Sequence, residues 1–319
     1  MDRVHLRLAM WDYDFVLPLA TGDIIPEGIE LSLIRQSDAL DLVLGDPDID
    51  GGEASFSRYL RGIAGGDRSF VGLPVFLMRE FRHRCFIVRR DSALADVTEL
   101  TGKRVGTDVW GASGNVWTRA ILRERGVPIE RIAWMVAPVN PGDPPVPVAG
   151  LPRCVQAAPP GRSLSDLLAD GEIEALMCSL PPAEFCTPES RMRRLYVDYR
   201  KAEREYYLRT HLFPAHHLLV LRRAVVDRHP WAVRSLYTAF TQARERSERS
   251  HWVLHESSPW ILPDLEEQQA LMGRDFQPYG YRANQPMVAA FCAEQFAQGL
   301  IREPVNPDLL FAEFEQLMG

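Results

Sequence analysis

The chain has 319 residues, 46% of them hydrophobic and 25% charged, which is enough for one large or two smaller globular domains. Its formal net charge of -7 and its isoelectric point near 5.7 argue against a nucleic-acid-binding protein. No stretch reaches the roughly 18 to 20 apolar residues of a membrane span, so we expect no membrane partner.

The N-terminus carries charged residues where a secretory leader would be apolar, namely Asp2, Arg3 and Arg7. We therefore predict a chain without an export signal, located in the cytoplasm. The five cysteines show no CxxC pair and no zinc-ligand spacing, which is typical of reduced thiols in that compartment. No metal is expected from this pattern, although eight histidines leave open a divalent ion at a site that the fold assembles.

The first hundred residues predict alternating strands and helices. Residues 4–10 alternate apolar and polar side chains, which is typical of a half-buried strand, and residues 29–34 repeat the pattern after a turn. Ser55 is a candidate N-cap for a helix. The predicted elements are strands at 4–10, at 29–34, from 49, at 73–78 and at 85–88, with helices at 37–44 and after Ser55.

The middle of the chain predicts a strand at 104–107, a glycine-containing loop at 111–115 and a helix at about 116–124. A helix that begins after such a loop offers free N–H groups to an anion. Residues 138–160 are rich in proline and glycine and predict an irregular connection. The remaining predicted elements are a helix at 163–168, strands at 173–177 and 218–221, and helices at 231–250, 266–276 and 286–299.

A strand-rich start, a strand–helix middle and a helical end indicate an α/β protein, and two lobes with a ligand cleft between them are one arrangement that fits this order. The C-terminal helices are expected to return to the first lobe. We therefore assign residues 1–96 and 215–319 to lobe one, and residues 97–214 to lobe two.

Several segments recur, in this order, in one known family. They are Gly-Glu-Ala-Ser-Phe-Ser-Arg-Tyr-Leu at 52–60, Leu-Pro-Val-Phe at 73–76, Phe-Arg-His at 81–83, the segments at 100–106 and 116–122, Phe-Pro-Ala-His-His at 213–217, Arg-His-Pro-Trp at 228–231, and Pro-Tyr-Gly at 278–280 with Ala-Asn at 283–284. On these segments the chain resembles the 4,5-dihydroxyphthalate decarboxylase family, which has the type II periplasmic-binding-protein fold. The resemblance implies decarboxylation of a hydroxylated aromatic acid.

The chain also departs from this family at one turn. The segment Cys-Ser-Leu-Pro at 178–181 lacks an arginine that the family pattern implies nearby. The absence of a cation there argues against a doubly anionic, phthalate-type substrate. The cysteine-rich motif of the thiamine-precursor enzymes, which resemble this family in fold, is absent as well.

Decarboxylation of an aromatic acid needs a cation that binds the carboxylate, a proton donor that works near pH 7, and few waters. Arg82 suits the first role because a guanidinium binds a carboxylate with two N–H groups and keeps its charge. His83 suits the second because imidazole titrates near neutrality. The alternative is a solvated turn between two strands, in which His83 has no chemical role.

His217 is a second candidate acid or base, because it matches the family segment better than His216 does. Neighbouring residues of an extended segment point to opposite faces, so one of the two is expected to enter the cleft. The alternative for His217 is a core histidine bonded to a backbone carbonyl. Glu53, at a predicted strand end, is expected to orient a histidine or to accept hydrogen bonds from ring hydroxyls.

Substrate contacts are expected where strands end and helices begin. Trp11, Asp12 and Tyr13 end the first strand, where an aromatic side chain can stack on a ring. The polar helix starts could instead be plain N-caps, and Trp117 could be a core residue. The predicted substrate-binding residues are Trp11, Asp12, Ser55, Ser113, Gly114, Asn115, Trp117 and His216.

These residues together predict a cofactor-independent carboxy-lyase for a hydroxylated aromatic, phthalate-like or related small carboxylic acid. Two alternatives use the same fold: a solute-binding protein that delivers an organic acid to a transporter, and a lyase of quinone biosynthesis. A binding protein needs no proton donor beside its cation, which separates it from the enzymes. The sequence leaves open whether the chain forms a homo-oligomer.

Overall fold

The structure is a computed structural model that describes residues 3–253 and 259–319. It contains every predicted strand, within a few residues at each end, and three strands that were not predicted, at 133–136, 155–157 and 192–194. In chain order they are β1 (Val4–Met10), β2 (Ile29–Arg35), β3 (Gly51–Ser55), β4 (Phe70–Arg79), β5 (Phe86–Arg89), β6 (Arg104–Thr107), β7 (Ala133–Val136), β8 (Val155–Ala157), β9 (Ala175–Met177), β10 (Met192–Arg194) and β11 (Ala215–Arg222).

The α-helices are concentrated in the second half of the chain, as predicted. None of those in the described residues is both long and apolar enough to cross a membrane. They are α1 (Leu17–Ala20), α2 (Ala39–Gly45), α3 (Phe56–Ala64), α4 (Ser113–Glu124), α5 (Leu164–Ala169), α6 (Tyr199–Thr210), α7 (Arg223–Arg228), α8 (Trp231–Val253), α9 (Ile261–Met272), α10 (Tyr281–Ala297), α11 (Pro307–Leu310) and α12 (Ala312–Met318).

Some of these elements were not predicted, or begin elsewhere than predicted. Helix α6 was missed because it buries little of its surface, Tyr206 being its buried residue. Helix α4 begins at Ser113 rather than near 116, because Ala112 already has the extended backbone of an N-cap. Helix α10 begins five residues before Pro286, which we had taken as the first helical residue. A proline so near the N-terminus removes one N–H bond of the helix, and the helix tolerates this loss.

The chain divides into two compact units. Unit 1 comprises Met1–Arg79, Ala215–Ala293 and Glu303–Gly319, and unit 2 comprises Glu80–Pro214 and Glu294–Arg302. The prediction had assigned residues 80–96 to the first lobe, and the structure corrects this. These residues belong to unit 2 because β5 lies between β9 and β10 in the sheet of that unit.

The sheet of unit 1 has the strand order β2-β1-β3-β11-β4. Strand β1 is parallel to both β2 and β3, whereas β11 is antiparallel to β3 and to β4. The carboxyl ends of β1, β3 and β4 therefore meet the beginning of β11 at one edge. His216 and His217 lie inside β11, not before a strand as predicted, and they point to opposite faces because they are neighbours in a strand.

The sheet of unit 2 has the strand order β10-β5-β9-β6-β7-β8. Strands β9, β6, β7 and β8 are parallel to one another, so their carboxyl ends lie at the same edge. Helix α4 follows β6 from this edge. The hydrophobic core of this unit includes Phe86, Trp134 and Leu122, and each of these side chains is at most 1% exposed.

Strands β1 and β3 approach each other most closely at Gly52. This residue pairs with Ala9 and has a φ of +139°, and a Cβ placed on it would lie 2.0 Å from the Ala9 carbonyl oxygen. Both the dihedral angle and the contact exclude a side chain. Glycine at this position therefore lets β3 lie against β1, and it places the next residue, Glu53, beside the end of β1.

Replacement of Gly52 by alanine is expected to lower the free energy of unfolding by at least about 3 kcal/mol, because it adds a steric overlap to backbone strain. Gly66→Ala is the matched control, since Gly66 has a φ of +86° with no atom within 4 Å of an added Cβ. The control should lose only about 1 to 2 kcal/mol. Urea denaturation measures both, and equal losses would contradict a role for the contact with Ala9.

Candidate active site

The carboxylate of Glu53 in β3 is fully buried in unit 1 and accepts three hydrogen bonds. Its Oε1 accepts hydrogen bonds from the Tyr13 hydroxyl at 2.5 Å and from His217 Nδ1 at 2.5 Å. Its Oε2 accepts the backbone N–H of Trp11 at 2.8 Å. A buried carboxylate must be satisfied by donors, and these three supply them.

The contact with Glu53 determines which nitrogen of His217 is available. A carboxylate oxygen that accepts from Nδ1 fixes the proton on that nitrogen, so Nε2 is the one left to give or take a proton. The side chain of His217 is 12% exposed, whereas that of Glu53 is not exposed at all. The indole of Trp11 contacts the imidazole edge-on, with ring centroids 5.5 Å apart. The expected pairing of Glu53 with a histidine is therefore present in unit 1.

Tyr13 has a different position from the stacking surface that the sequence suggested. Its ring stacks on Phe15, with centroids 4.9 Å apart, and its hydroxyl points at Glu53. Burial, and then the charge of Glu53, raise the pKa of the Tyr13 phenol. The hydroxyl therefore remains protonated and acts as a donor.

Three other predicted residues of unit 1 lie outside this cluster. Asp12 has a 67% exposed side chain and pairs with Arg35. Ser55 caps α3, since its side chain accepts the N–H of Arg58 at 3.4 Å. His216 is 2% exposed on the opposite face of β11 from His217. The two histidines thus lie on opposite faces of β11, as expected for neighbours in an extended segment.

In unit 2, Arg82 is fully buried and already paired. Its Nη1 donates to Glu80 at 2.6 Å and its Nη2 donates to Ser179 Oγ at 3.1 Å. The guanidinium packs so closely on α4 that a Cβ on Gly114 would lie 2.8 Å from its Cζ. The turn at 178–181, which seemed to lack a cation, therefore has one in Arg82, from a segment about a hundred residues earlier in the chain. The argument that this turn makes a phthalate-type substrate unsuitable is wrong.

His83 lies in the core of unit 2 and does not have the surroundings of a proton donor. It is 3% exposed and packs edge-on against Tyr206 and Tyr196, at centroid distances of 5.2 Å and 5.8 Å. Burial, and then the charges of Arg209 and Arg125, lower the pKa of His83 to about 4. The imidazole is therefore neutral at pH 7, and the structure does not support its predicted role as an acid.

The beginning of α4 holds a carboxyl group that the sequence reasoning did not single out. Asp108 directly follows β6 and accepts a hydrogen bond from Asn115 Nδ2, which also donates to the Val109 carbonyl at 2.9 Å. Burial raises the pKa of Asp108, although Asn115 and Arg82 oppose this effect. A polar residue immediately after a buried parallel strand is the pattern that would have identified it.

The remaining predicted residues of α4 are buried. Ser113 and Asn115 are 3% and 0% exposed. Trp117 is 2% exposed, which agrees with the alternative that it is a core residue. Within residues 3–253 and 259–319, no group of three or more histidine, cysteine, aspartate or glutamate side chains is placed to hold a metal ion.

The burial of His83 predicts a pH-dependent stability. Between pH 6.5, the ordinary pKa of histidine, and about 4, the unfolded chain binds a proton at this residue that the folded chain does not. The free energy of unfolding should therefore fall by roughly 2 to 3 kcal/mol as the pH drops through this window. His83→Leu should remove that part of the dependence in urea denaturation at pH 7 and pH 4.5.

The control is His5→Leu, since His5 is an exposed residue of β1. This variant should keep the full pH dependence of the parent protein. An unchanged slope in His83→Leu would contradict the assignment of a neutral, buried imidazole.

The comparisons with known proteins agree with this architecture. No family model matches the chain. The alkanesulfonate-binding protein SsuA of Xanthomonas axonopodis pv. citri is similar with a TM-score of 0.53, at 16% identity over 97% of this chain and 98% of that one. A Candida albicans protein with the generic periplasmic-binding-protein fold is similar with a TM-score of 0.52, at 12% identity over 99% and 95% of the two chains. The chain is thus an α/β protein with the type II periplasmic-binding-protein fold, as predicted.

Sequence comparison is more specific. A 4,5-dihydroxyphthalate decarboxylase from Comamonas testosteroni is 32% identical over 98% of this chain and 97% of that protein. A 4,5-dihydroxyphthalate decarboxylase from Pseudomonas putida is 28% identical over 65% of this chain and 83% of that protein. The chain belongs to the 4,5-dihydroxyphthalate decarboxylase family, which is a family of enzymes, and the resemblance predicted from its segments is confirmed.

Proposed function

We propose that this protein is a carboxy-lyase that releases CO2 from 4,5-dihydroxyphthalate or a closely similar hydroxylated aromatic dicarboxylate. The observation that carries the proposal is the histidine held by a buried glutamate, His217 with Glu53, in a chain 32% identical to such a decarboxylase. A protein that only binds an organic acid has no need of this pair.

The reaction makes a definite demand on the site. The ring carbon that bears the departing carboxylate must gain a proton, and the C–C bond then breaks to release CO2. In 4,5-dihydroxyphthalate a hydroxyl group stands para to that carbon and supplies electrons to the ring when the proton arrives. One proton is consumed, one CO2 leaves, and the product is a dihydroxybenzoate with its aromatic ring restored.

His217 is the group that we assign to this proton transfer. Its Nε2 is the nitrogen left available by the bond from Nδ1 to Glu53. The carboxylate of Glu53 stabilises the imidazolium and fixes its orientation, which aligns the proton with its acceptor. His83, which is neutral at pH 7, has no part in this proposal.

The anion-binding groups that we propose for unit 2 are Arg82 and the first turn of α4, residues 113–115. Arg82 is buried beside Glu80, so its charge is partly neutralised and it binds an anion more weakly than a free guanidinium. The N–H groups of the first helical turn add donors that carry no compensating negative charge.

No organic cofactor is needed for this chemistry, because the hydroxyl group of the substrate itself supplies the electrons that the ring carbon requires. We therefore propose a cofactor-independent enzyme. Treatment with EDTA tests for a divalent metal, and full activity afterwards is the expected result.

The function is tested by measuring CO2 release from a panel of hydroxylated benzoic and phthalic acids. We expect 4,5-dihydroxyphthalate to be decarboxylated, and His217→Gln to reduce kcat at least about 100-fold, which is typical for loss of a general acid. His5→Gln, at an exposed histidine of the same unit, is the matched control and should retain full activity.

Calorimetry separates an enzyme from a binding protein. If the acids bind tightly, if none loses CO2, and if His217→Gln leaves their affinity unchanged, the protein is a solute-binding protein and the proposal fails. If CO2 is released equally well by His217→Gln, the protein is a decarboxylase but the proton donor is another residue.

A further inference from the structure

We propose that Tyr13 is a positioning residue that tunes the acid strength of His217, because its hydroxyl shares the carboxylate oxygen that holds the imidazole. This inference rests on the proposed function only for its effect on catalysis. Its effect on the imidazole itself can be measured without any reaction.

The geometry of the shared oxygen is the first argument. Both the Tyr13 hydroxyl and His217 Nδ1 lie 2.5 Å from Glu53 Oε1. The second oxygen is occupied by the backbone N–H of Trp11, and the carboxylate is fully buried, so Glu53 is held between its donors. The negative charge that faces the imidazole is therefore divided between two donors on one oxygen.

The placement of Tyr13 is the second argument. Its ring is stacked on Phe15, and its backbone N–H donates to the Trp11 carbonyl at 3.1 Å, so the hydroxyl is held in one direction. Burial and the charge of Glu53 raise the pKa of the phenol, so it stays a donor throughout the pH range of the enzyme. Tyr13 therefore competes with His217 for Oε1 permanently and does not switch.

The consequence concerns the imidazolium form of His217. A carboxylate oxygen that already accepts a strong hydrogen bond stabilises a second, positively charged donor less. The imidazolium then gives up its Nε2 proton more readily, which is what a donor to a ring carbon requires. Removing the hydroxyl leaves Oε1 to His217 alone, so the proton should be held more tightly.

Two other charged or titratable groups, Tyr279 and Arg79, lie near the pair. Tyr279 lies near Tyr13, and burial raises its pKa, so it is neutral. Arg79 ends β4, next to the strand that carries His217, and donates to the Pro278 carbonyl at 3.0 Å. Burial lowers the pKa of Arg79 to about 10, so it remains a cation at neutral pH. Neither group changes charge near neutral pH.

The test is a titration of His217 by NMR in protein labelled at its histidines, with the resonance assigned by its loss in His217→Gln. In Tyr13→Phe the pH midpoint of this resonance should rise by roughly half a unit to one unit. The alkaline limb of the pH–rate profile for CO2 release, along which a proton donor loses its proton, should move in the same direction, and kcat should fall more than KM rises. Tyr207→Phe, in α6 of unit 2, is the matched control and should change neither.

A second comparison separates tuning from a general loss of structure. Adding Tyr13→Phe to Glu53→Gln should give no further shift, because the negative charge that both donors share is gone. A midpoint that is unchanged or lower in Tyr13→Phe overturns the inference, and so does an equal shift in the Glu53→Gln background. If the midpoint rises as expected but no acid is decarboxylated by the parent protein, the inference stands and the proposed function fails.

Discussion

The carboxylate of Glu53 is fully buried in unit 1, and a carboxylate without water is stable only when hydrogen-bond donors surround it. Its donors come from the segment after β1 and from β11, so both must meet β3 at one edge of the sheet. Gly52 makes this possible because it removes the side chain that would separate β3 from β1. The need for hydrogen-bond donors around the Glu53 carboxylate thus determines how β1, β3 and β11 lie relative to one another, and it positions His217.

Burial of ionisable side chains has a different result in unit 2. Arg82 is as deeply buried as Glu53, but a carboxylate beside it, Glu80, already neutralises much of its charge. His83 packs against the rings of Tyr196 and Tyr206, and its burial keeps it neutral. Of the two histidines predicted to transfer protons, His217 is the one that contacts a carboxylate. The other is a core residue.

The fold by itself does not distinguish a decarboxylase from a binding protein, because similar folds serve both. The solved structures of similar fold include an alkanesulfonate-binding protein, at an identity too low to indicate function. Our proposal therefore depends on the site, in which the Tyr13 hydroxyl and His217 Nδ1 share one oxygen of the buried Glu53 carboxylate. The family, with 32% identity over nearly the whole chain, is consistent with these residues.

Local pattern determined much of this protein from its sequence: the strand at 4–10, the cap at Ser55, the α/β class and the family itself. The strand and the cap depend on residues close together in the chain, where periodicity and capping act, whereas the α/β class depends on the order of the elements and the family on its resemblance over many segments. Tertiary structure alone decided that His217 rather than His216 meets Glu53, 164 residues away, since strand register selects the face. It also brought Arg82 to the turn at Ser179 and placed residues 80–96 in unit 2. Such pairings depend on which strands become neighbours, and no local pattern records that.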